Sequence, residues 1–144
     1  MDQRYFIWST AGREPWIGDD WREPLHRYLG GIARNKNAKL IAAGGMHDHI
    51  HLHVSLPSTI TIADFVNAMK SNSSRWVHDN FPNRGAFAWQ EGYGAFSVGK
   101  SEEQKVISYI NDQREHHQKH SFKEEFLKFL EKYDVDYNER YLWD

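Results

Sequence analysis

The sequence predicts an α+β domain with helices packed over a mainly antiparallel sheet, and three observations carry that expectation. From His49 to Val54 the chain alternates histidine with Ile50, Leu52 and Val54, the period-two pattern of a strand with one apolar face. Ala38 to Ala43 (AKLIAA) lies just upstream, and Gly44-Gly45 lets the chain turn, so the two stretches read as antiparallel neighbours. Apolar residues recur at helical spacing on both sides of this pair, in Trp21, Leu25, Tyr28 or Leu29, and Ile32 and again in Phe65, Val66, Met69 and Trp76. A chain of 144 residues can bury a proper core without staples, so residues 1–144 are expected to form a single domain.

The elements follow in order. Arg4 to Thr10 (RYFIWST) is aromatic and β-branched and reads as the first strand, ended by Gly12 and Pro15. A helix runs from Asp19 or Asp20 to about Asn35, weakened by Gly30-Gly31. The strand at 38–43 and the histidine strand come next. Thr61 with Asp64 three residues on resembles a helix cap, and the helix it opens contains Ser71-Asn72-Ser73-Ser74. Such residues are poor in helix interiors, so either the helix frays there or the cluster faces a ligand. Ala86 to Gln90 (AFAWQ) and Gly94 to Val98 (GAFSV) read as two short strands. Ser101-Glu102-Glu103-Gln104 is a capping box for a helix from about Glu102 to Lys119, and Ser121 to Glu124 opens another to about Lys132. The last dozen residues are aromatic and acidic and are expected to pack on the domain or a partner.

Composition narrows the function classes. The chain has no cysteine, which excludes disulfides and thiolate metal sites and makes a reducing cytoplasm the simplest home. No apolar run approaches the roughly 20 residues needed to cross a bilayer, and the N-terminus lacks the layout of a signal peptide, so a soluble intracellular protein without a membrane partner is expected. A net charge of −2 gives no support to a general nucleic-acid binder. Its distribution is more telling, because residues 24–47 carry Arg27, Arg34, Lys36 and Lys39 without an acid, and residues 65–78 carry only Lys70 and Arg75. Arg34, Lys36, Lys39, Lys70 and Arg75 are therefore candidates for phosphate contacts, although solvated helix faces look the same. Trp89 and Tyr93 are candidates for stacking on an unpaired base, against the commoner role of an aromatic in a core.

Chemistry gathers in two places. His49, His51 and His53 share one strand face, with neighbours roughly 6.5–7 Å apart at Cα, so two imidazoles can converge on one divalent cation or flank one phosphate. Asp48 could orient a ligand histidine or serve the turn. In the helix after Ser101, Tyr109 and Gln113 stand at i and i+4, hence on one face. A phenol can attack phosphorus while an amide oxygen one turn away reaches a metal that polarises the same phosphate.

These residues resemble a known family. His49-Ile50-His51 fits the His-hydrophobe-His motif of the HUH single-strand nucleases, and Tyr109 with Gln113 fits the helix of their single-tyrosine transposase branch. The similarity extends to Ser9-Thr10, Arg13-Glu14, Gly44-Gly45, Lys70 to Trp76 (KSNSSRW), Trp89 to Val98 (WQEGYGAFSV) and the closing SFKEEFLKFL. The chain thus looks like the compact IS200-like transposases of the smallest bacterial insertion sequences. That resemblance implies a ferredoxin-like or RRM-like antiparallel sheet, a homodimer, a Mg²⁺ or Mn²⁺ ion held by His49, His51 and Gln113, Tyr109 as nucleophile, and single-stranded DNA with hairpin ends as partner. It also implies a bacterial cytoplasm as the setting. His47 and His53 depart from the usual pattern. They open an alternative, since His49 to Val54 also resembles the histidine-triad nucleotide hydrolases and transferases, whose central histidine attacks a phosphate without metal. In that family the motif ends the domain, whereas here residues 55–144 follow it. A third reading, a metal-dependent DNA-binding module, requires an inert Tyr109.

Overall fold

The computed structural model of the chain describes residues 2–111 together with Glu124, Leu127 and Lys128. Among them the elements are β1 (Asp2–Ser9), α1 (Arg22–Asn35), β2 (Lys39–Met46), β3 (His49–Leu56), α2 (Ile62–Asn80), β4 (Gly94–Ser97) and α3 (Glu103–Asn111). The sheet order is β2-β3-β1-β4, and each neighbouring pair is antiparallel. Two crossovers produce this order. The β1-α1-β2 unit leaves a gap that β3 fills by a hairpin return, and the β3-α2-β4 unit sets β4 on the other side of β1. The result is the expected α+β class in its ferredoxin-like form.

Period-two alternation divides the sheet into two faces. Phe6 and Trp8 of β1 join Ile50, Leu52, Val54 and Leu56 of β3 beneath Leu25, Leu29 and Ile32 of α1 and Phe65, Met69 and Val77 of α2. Tyr5 and Ile7 point the other way and meet Ala42, Phe96 and Val98 beneath Val106 and Ile110 of α3, with Leu127 packed alongside. The histidines share this second face. As β3 is a central strand covered on both sides, His49, His51 and His53 are each 0% exposed, not half-wet as a lone amphipathic strand would leave them.

Local chemistry explains most boundaries. The Thr61 hydroxyl accepts the Asp64 N–H at 3.1 Å, the expected cap of α2. α1 starts later than expected, at Arg22, because the Gly18 carbonyl takes the N–H groups of Trp21 and Arg22, while the Asp19 carboxylate pairs with the Arg22 side chain. The Ser71–Ser74 cluster does not fray α2, which continues through it to Asn80. Ser71, Asn72 and Ser73 bond back to the carbonyls of Asn67, Ala68 and Met69, and the Ser73 hydroxyl also accepts the Trp89 indole N–H at 2.9 Å. Tertiary contact thus turns a weak helical residue into a tie between α2 and the segment before β4.

Three expectations are corrected. Ala86 to Gln90 is not a strand. Only Trp89 bridges Thr10, and Phe87 and Trp89 are spent on the core. Gly44-Gly45 is not the turn into the histidine strand. Both lie inside β2, Met46 pairs with His49, and His47-Asp48 makes the two-residue connection. The helix from Ser101 opens at Glu103 with the Glu102 carbonyl accepting from Val106, one residue later than the capping box suggested. Its stretch beyond Asn111, Gln113 included, lies outside the described residues, as do most of the helix expected from Phe122 and the aromatic C-terminal dozen. Among the described residues no helix is long and apolar enough to cross a membrane.

Candidate active site

The site is built on β3 and roofed by α3. His49 and His51 stand one strand step apart with their rings edge to face, centroids 5.0 Å apart. Each is held through Nδ1. The Asp48 carboxylate lies 2.6 Å from His49 Nδ1, so the hairpin residue also fixes that ring, uniting the two roles its position suggested. The Tyr5 hydroxyl meets His51 Nδ1. In both cases a cation, if bound, would be left Nε2, because the other nitrogen is anchored by the protein as in metal-binding histidines generally. Two such imidazoles fit a divalent cation as a partial donor set. Among the described residues no cluster of three His, Asp or Glu donors completes it, and the third expected donor, Gln113, lies outside them.

Tyr109 lies beside one member of this pair. Its ring stands 5.9 Å from that of His51, nearly perpendicular at 77°. The placement follows from the apolar seam of α3, where Val106 and Ile110 are buried on the sheet and Tyr109, half-buried, comes beside the histidine row. Gly44 makes the approach close enough. It pairs with His51 across the hairpin, and a Cβ there would collide with the Ile110 backbone carbonyl. A glycine pair that reads as a turn is in part a seat for the helix that carries the phenol.

His53 is a different residue. Its Nε2 lies 2.9 Å from the Gln3 side-chain oxygen, and Gln3 donates on to the Ser55 hydroxyl at 2.9 Å. Burial lowers its pKa, and the nearby Glu103 pulls in the opposite direction. It is thus tied into β1. His47, half-exposed, lies 3.7 Å from Asp19 and outside the site.

The basic candidates separate into two kinds. Arg34, Lys36 and Lys39 are exposed around the α1-β2 connection, and Arg75 is exposed on α2. Lys39 pairs with Ser55, six residues along β3 from His49, or about 20 Å away at the usual strand rise. Lys39 is therefore not at the histidine pair. Lys70 instead bonds the carbonyls of Gln90, Glu91 and Gly92 at 2.7, 3.2 and 2.8 Å, which uses all three ammonium protons and clips the loop before β4 to α2. Burial brings its pKa down to about 8, with Glu91 opposing. Trp89 is core, edge-on to Phe87 and Trp8. Tyr93 is 38% exposed, with the Lys70 ammonium over its ring.

Sequence reasoning missed Tyr5 and Gly44. Tyr5 had no signal in the chain alone, and Gly44 was marked only as a turn residue and as part of the resemblance, since each acts through a cross-strand neighbour that only the register supplies.

Residues 3–113 match the family model described as "Transposase IS200 like". The chain belongs to this family. The ISDra2 transposase TnpA of Deinococcus radiodurans is 26% identical over 116 residues, covering 77% of this chain and 83% of that protein. A crystal structure of a transposase candidate from Deinococcus radiodurans R1 superposes with a TM-score of 0.64 at 28% identity, over 77% of this chain and 89% of the other. A REP-associated tyrosine transposase bound to a REP hairpin shares the fold, with a TM-score of 0.63 at 13% identity, over 81% of this chain and 68% of the other. The family match favours the transposase resemblance over the histidine-triad one.

Proposed function

We propose that this transposase cleaves and rejoins single-stranded DNA at insertion-sequence ends, with Tyr109 as the nucleophile. The observation that carries the reading is the Tyr109 ring beside His51, in a pair of histidines whose Nδ1 atoms are already held. Tyr109 Oη forms a bond to the scissile phosphorus as the bond from phosphorus to the 3′-oxygen breaks. The products are a 5′-phosphotyrosine and a free 3′-hydroxyl. A phenol with a pKa of about 10 is mostly protonated at neutral pH, so its proton must leave as the bond forms. One phosphoester replaces another, so a new 3′-hydroxyl can reverse the step on another strand without ATP. His49 and His51 through Nε2, with the Gln113 amide oxygen, would hold Mg²⁺ or Mn²⁺, which when bound polarises the phosphate and stabilises its developing charge.

The wider setting belongs to the same proposal: residues 1–144 act as one domain, as a homodimer in the bacterial cytoplasm, on element ends that present DNA hairpins. Arg34, Lys36, Lys39 and Arg75 are the exposed phosphate candidates, and Tyr93 the stacking one. The deciding experiment incubates single-stranded element ends with protein and metal and resolves the covalent adduct on a denaturing gel. Wild-type protein should form it, and Tyr109→Phe should lose it by several orders of magnitude while still binding the hairpin, because only one hydroxyl is removed. Normal adduct from the phenylalanine variant would overturn the assignment and turn attention to Tyr93.

A further inference from the structure

Tyr5 is 1% exposed on β1, between the Phe96 ring at 6.3 Å and the His51 ring at 5.6 Å. Its Cα partner across the ladder is His53, yet its hydroxyl passes that residue and meets Nδ1 of His51, the diagonal neighbour. Phenylalanine would fill the same space. A buried hydroxyl costs free energy unless it is bonded, so tyrosine here is explained by the partner it reaches.

The two ring anchors of the site differ in chemistry. Asp48 as a carboxylate can only accept, so it fixes a proton on His49 Nδ1 and leaves the lone pair on Nε2. A phenol hydroxyl both donates and accepts. It can therefore accept from His51 Nδ1–H when Nε2 carries a ligand and donate to Nδ1 when Nε2 carries the proton. We propose that Tyr5 is a positioning residue for the cation site, holding the His51 ring in place and supporting the tautomer that presents the Nε2 lone pair. The role rests on the metal-dependent reading above. It also makes the two tyrosines beside His51 unequal: Tyr109 belongs to the reaction, and Tyr5 to the ring that supports it.

Tyr5→Phe removes one oxygen and keeps the ring, and thermal unfolding checks that the fold is kept. Two measurements need no turnover. In metal-free protein the His51 ring ¹⁵N shifts should move between wild type and variant while those of His49 stay, because Asp48 is untouched. Mn²⁺ binding, followed by the paramagnetic resonance of free Mn²⁺, should weaken about 10–100-fold in the variant, the usual cost of losing an outer partner of a metal-bound histidine. Adduct formation should then show its larger change in the Mn²⁺ concentration required and a smaller one in the plateau rate.

Unchanged His51 shifts together with a superimposable Mn²⁺ isotherm would reduce Tyr5 to packing and overturn the proposal. Adduct lost at every Mn²⁺ concentration with Mn²⁺ binding intact would also overturn it, by placing the hydroxyl in the reaction. Wild-type protein that binds no Mn²⁺ would sink the metal reading itself, and that failure is told apart because it appears before any substitution at Tyr5.

Discussion

The two faces of the sheet are made by the same strands and do opposite work. Toward α1 and α2 the strands present Phe6, Trp8, Ile50, Leu52 and Val54, and the layer is apolar throughout. Toward α3 they present Tyr5 and Ile7 with His49, His51 and His53, and the histidines are as deeply buried as any leucine opposite. A buried imidazole costs free energy unless it is bonded, and Asp48, Tyr5 and Gln3 each bond one ring nitrogen of His49, His51 and His53 in turn. The larger apolar layer lies under α1 and α2, and the face under α3 combines a smaller apolar cluster with groups that a core would ordinarily reject. Substitutions on one face should move folding, and substitutions on the other should move chemistry.

The sharpest way to break that division is Phe6→Ala. It should cost about 3–5 kcal/mol of folding stability and lower the unfolding midpoint by roughly 2–4 °C for each kcal/mol. Adduct formation per folded molecule at low temperature should stay near wild type. If activity per folded molecule fell in step with stability, the two faces would not be separable.

Gly44→Ala probes the seam. The added methyl must push Ile110 and with it α3 away from β2, and a displacement of about 1 Å can cost about a hundredfold in rate. Hairpin binding should be unaffected. Gly31→Ala in α1, where the new Cβ meets nothing within 4 Å, is the control. It should gain up to about 1 kcal/mol of stability and leave the rate alone. Equal rates in the two variants would show that Tyr109 does not depend on the seat at Gly44.

A smaller effect is expected at Gln113. Asparagine keeps the amide and withdraws it by roughly 1.3–1.5 Å, whereas ligation tolerates only about 0.2 Å. Gln113→Asn should raise the metal concentration needed for cleavage on the order of tenfold, with Mn²⁺ rescuing better than Mg²⁺, which demands stricter octahedral geometry. DNA binding in EDTA should not change. A metal titration that superimposes on wild type would remove Gln113 from the donor set.

The smallest effect belongs to His53. It lies on the chemical face but is bonded to Gln3, so His53→Leu should preserve metal-dependent cleavage, whereas His49→Ala or His51→Ala should abolish it. Equal loss in all three variants would make this a three-histidine site and erase the distinction drawn within the face.

Much of this organisation was written in local pattern. Alternation over 49–54 put three histidines on one side of a strand, and that depends only on the pleat of the backbone. The Thr61 cap, the apolar stripes of α1 and α2, and the spacing that put Tyr109 on a site-facing helix are equally local. What failed was whatever needed a distant partner. Ala86 to Gln90 has strand composition, yet its aromatics went to the core between α2 and β1. Ser71–Ser74 resembled a break, until the carbonyls one turn back and the Trp89 indole accounted for it. Local pattern was also silent on the three carbonyls of the loop before β4 that Lys70, a phosphate candidate, bonds.

By itself, then, the sequence determined the histidine row through spacing along one segment, the fold class through the order of its elements, and the nucleophile candidate through the family that its motifs resemble. Only the tertiary structure decided that Tyr5 anchors His51, that Gly44 admits α3, that His53 is tied to Gln3, and that Lys39 lies far along β3 from His49. The physical reason is register. Which residue of β1 or β2 stands beside a given histidine is fixed by the pairing of whole strands under two packed faces, and a slip of one position would exchange every contact on both.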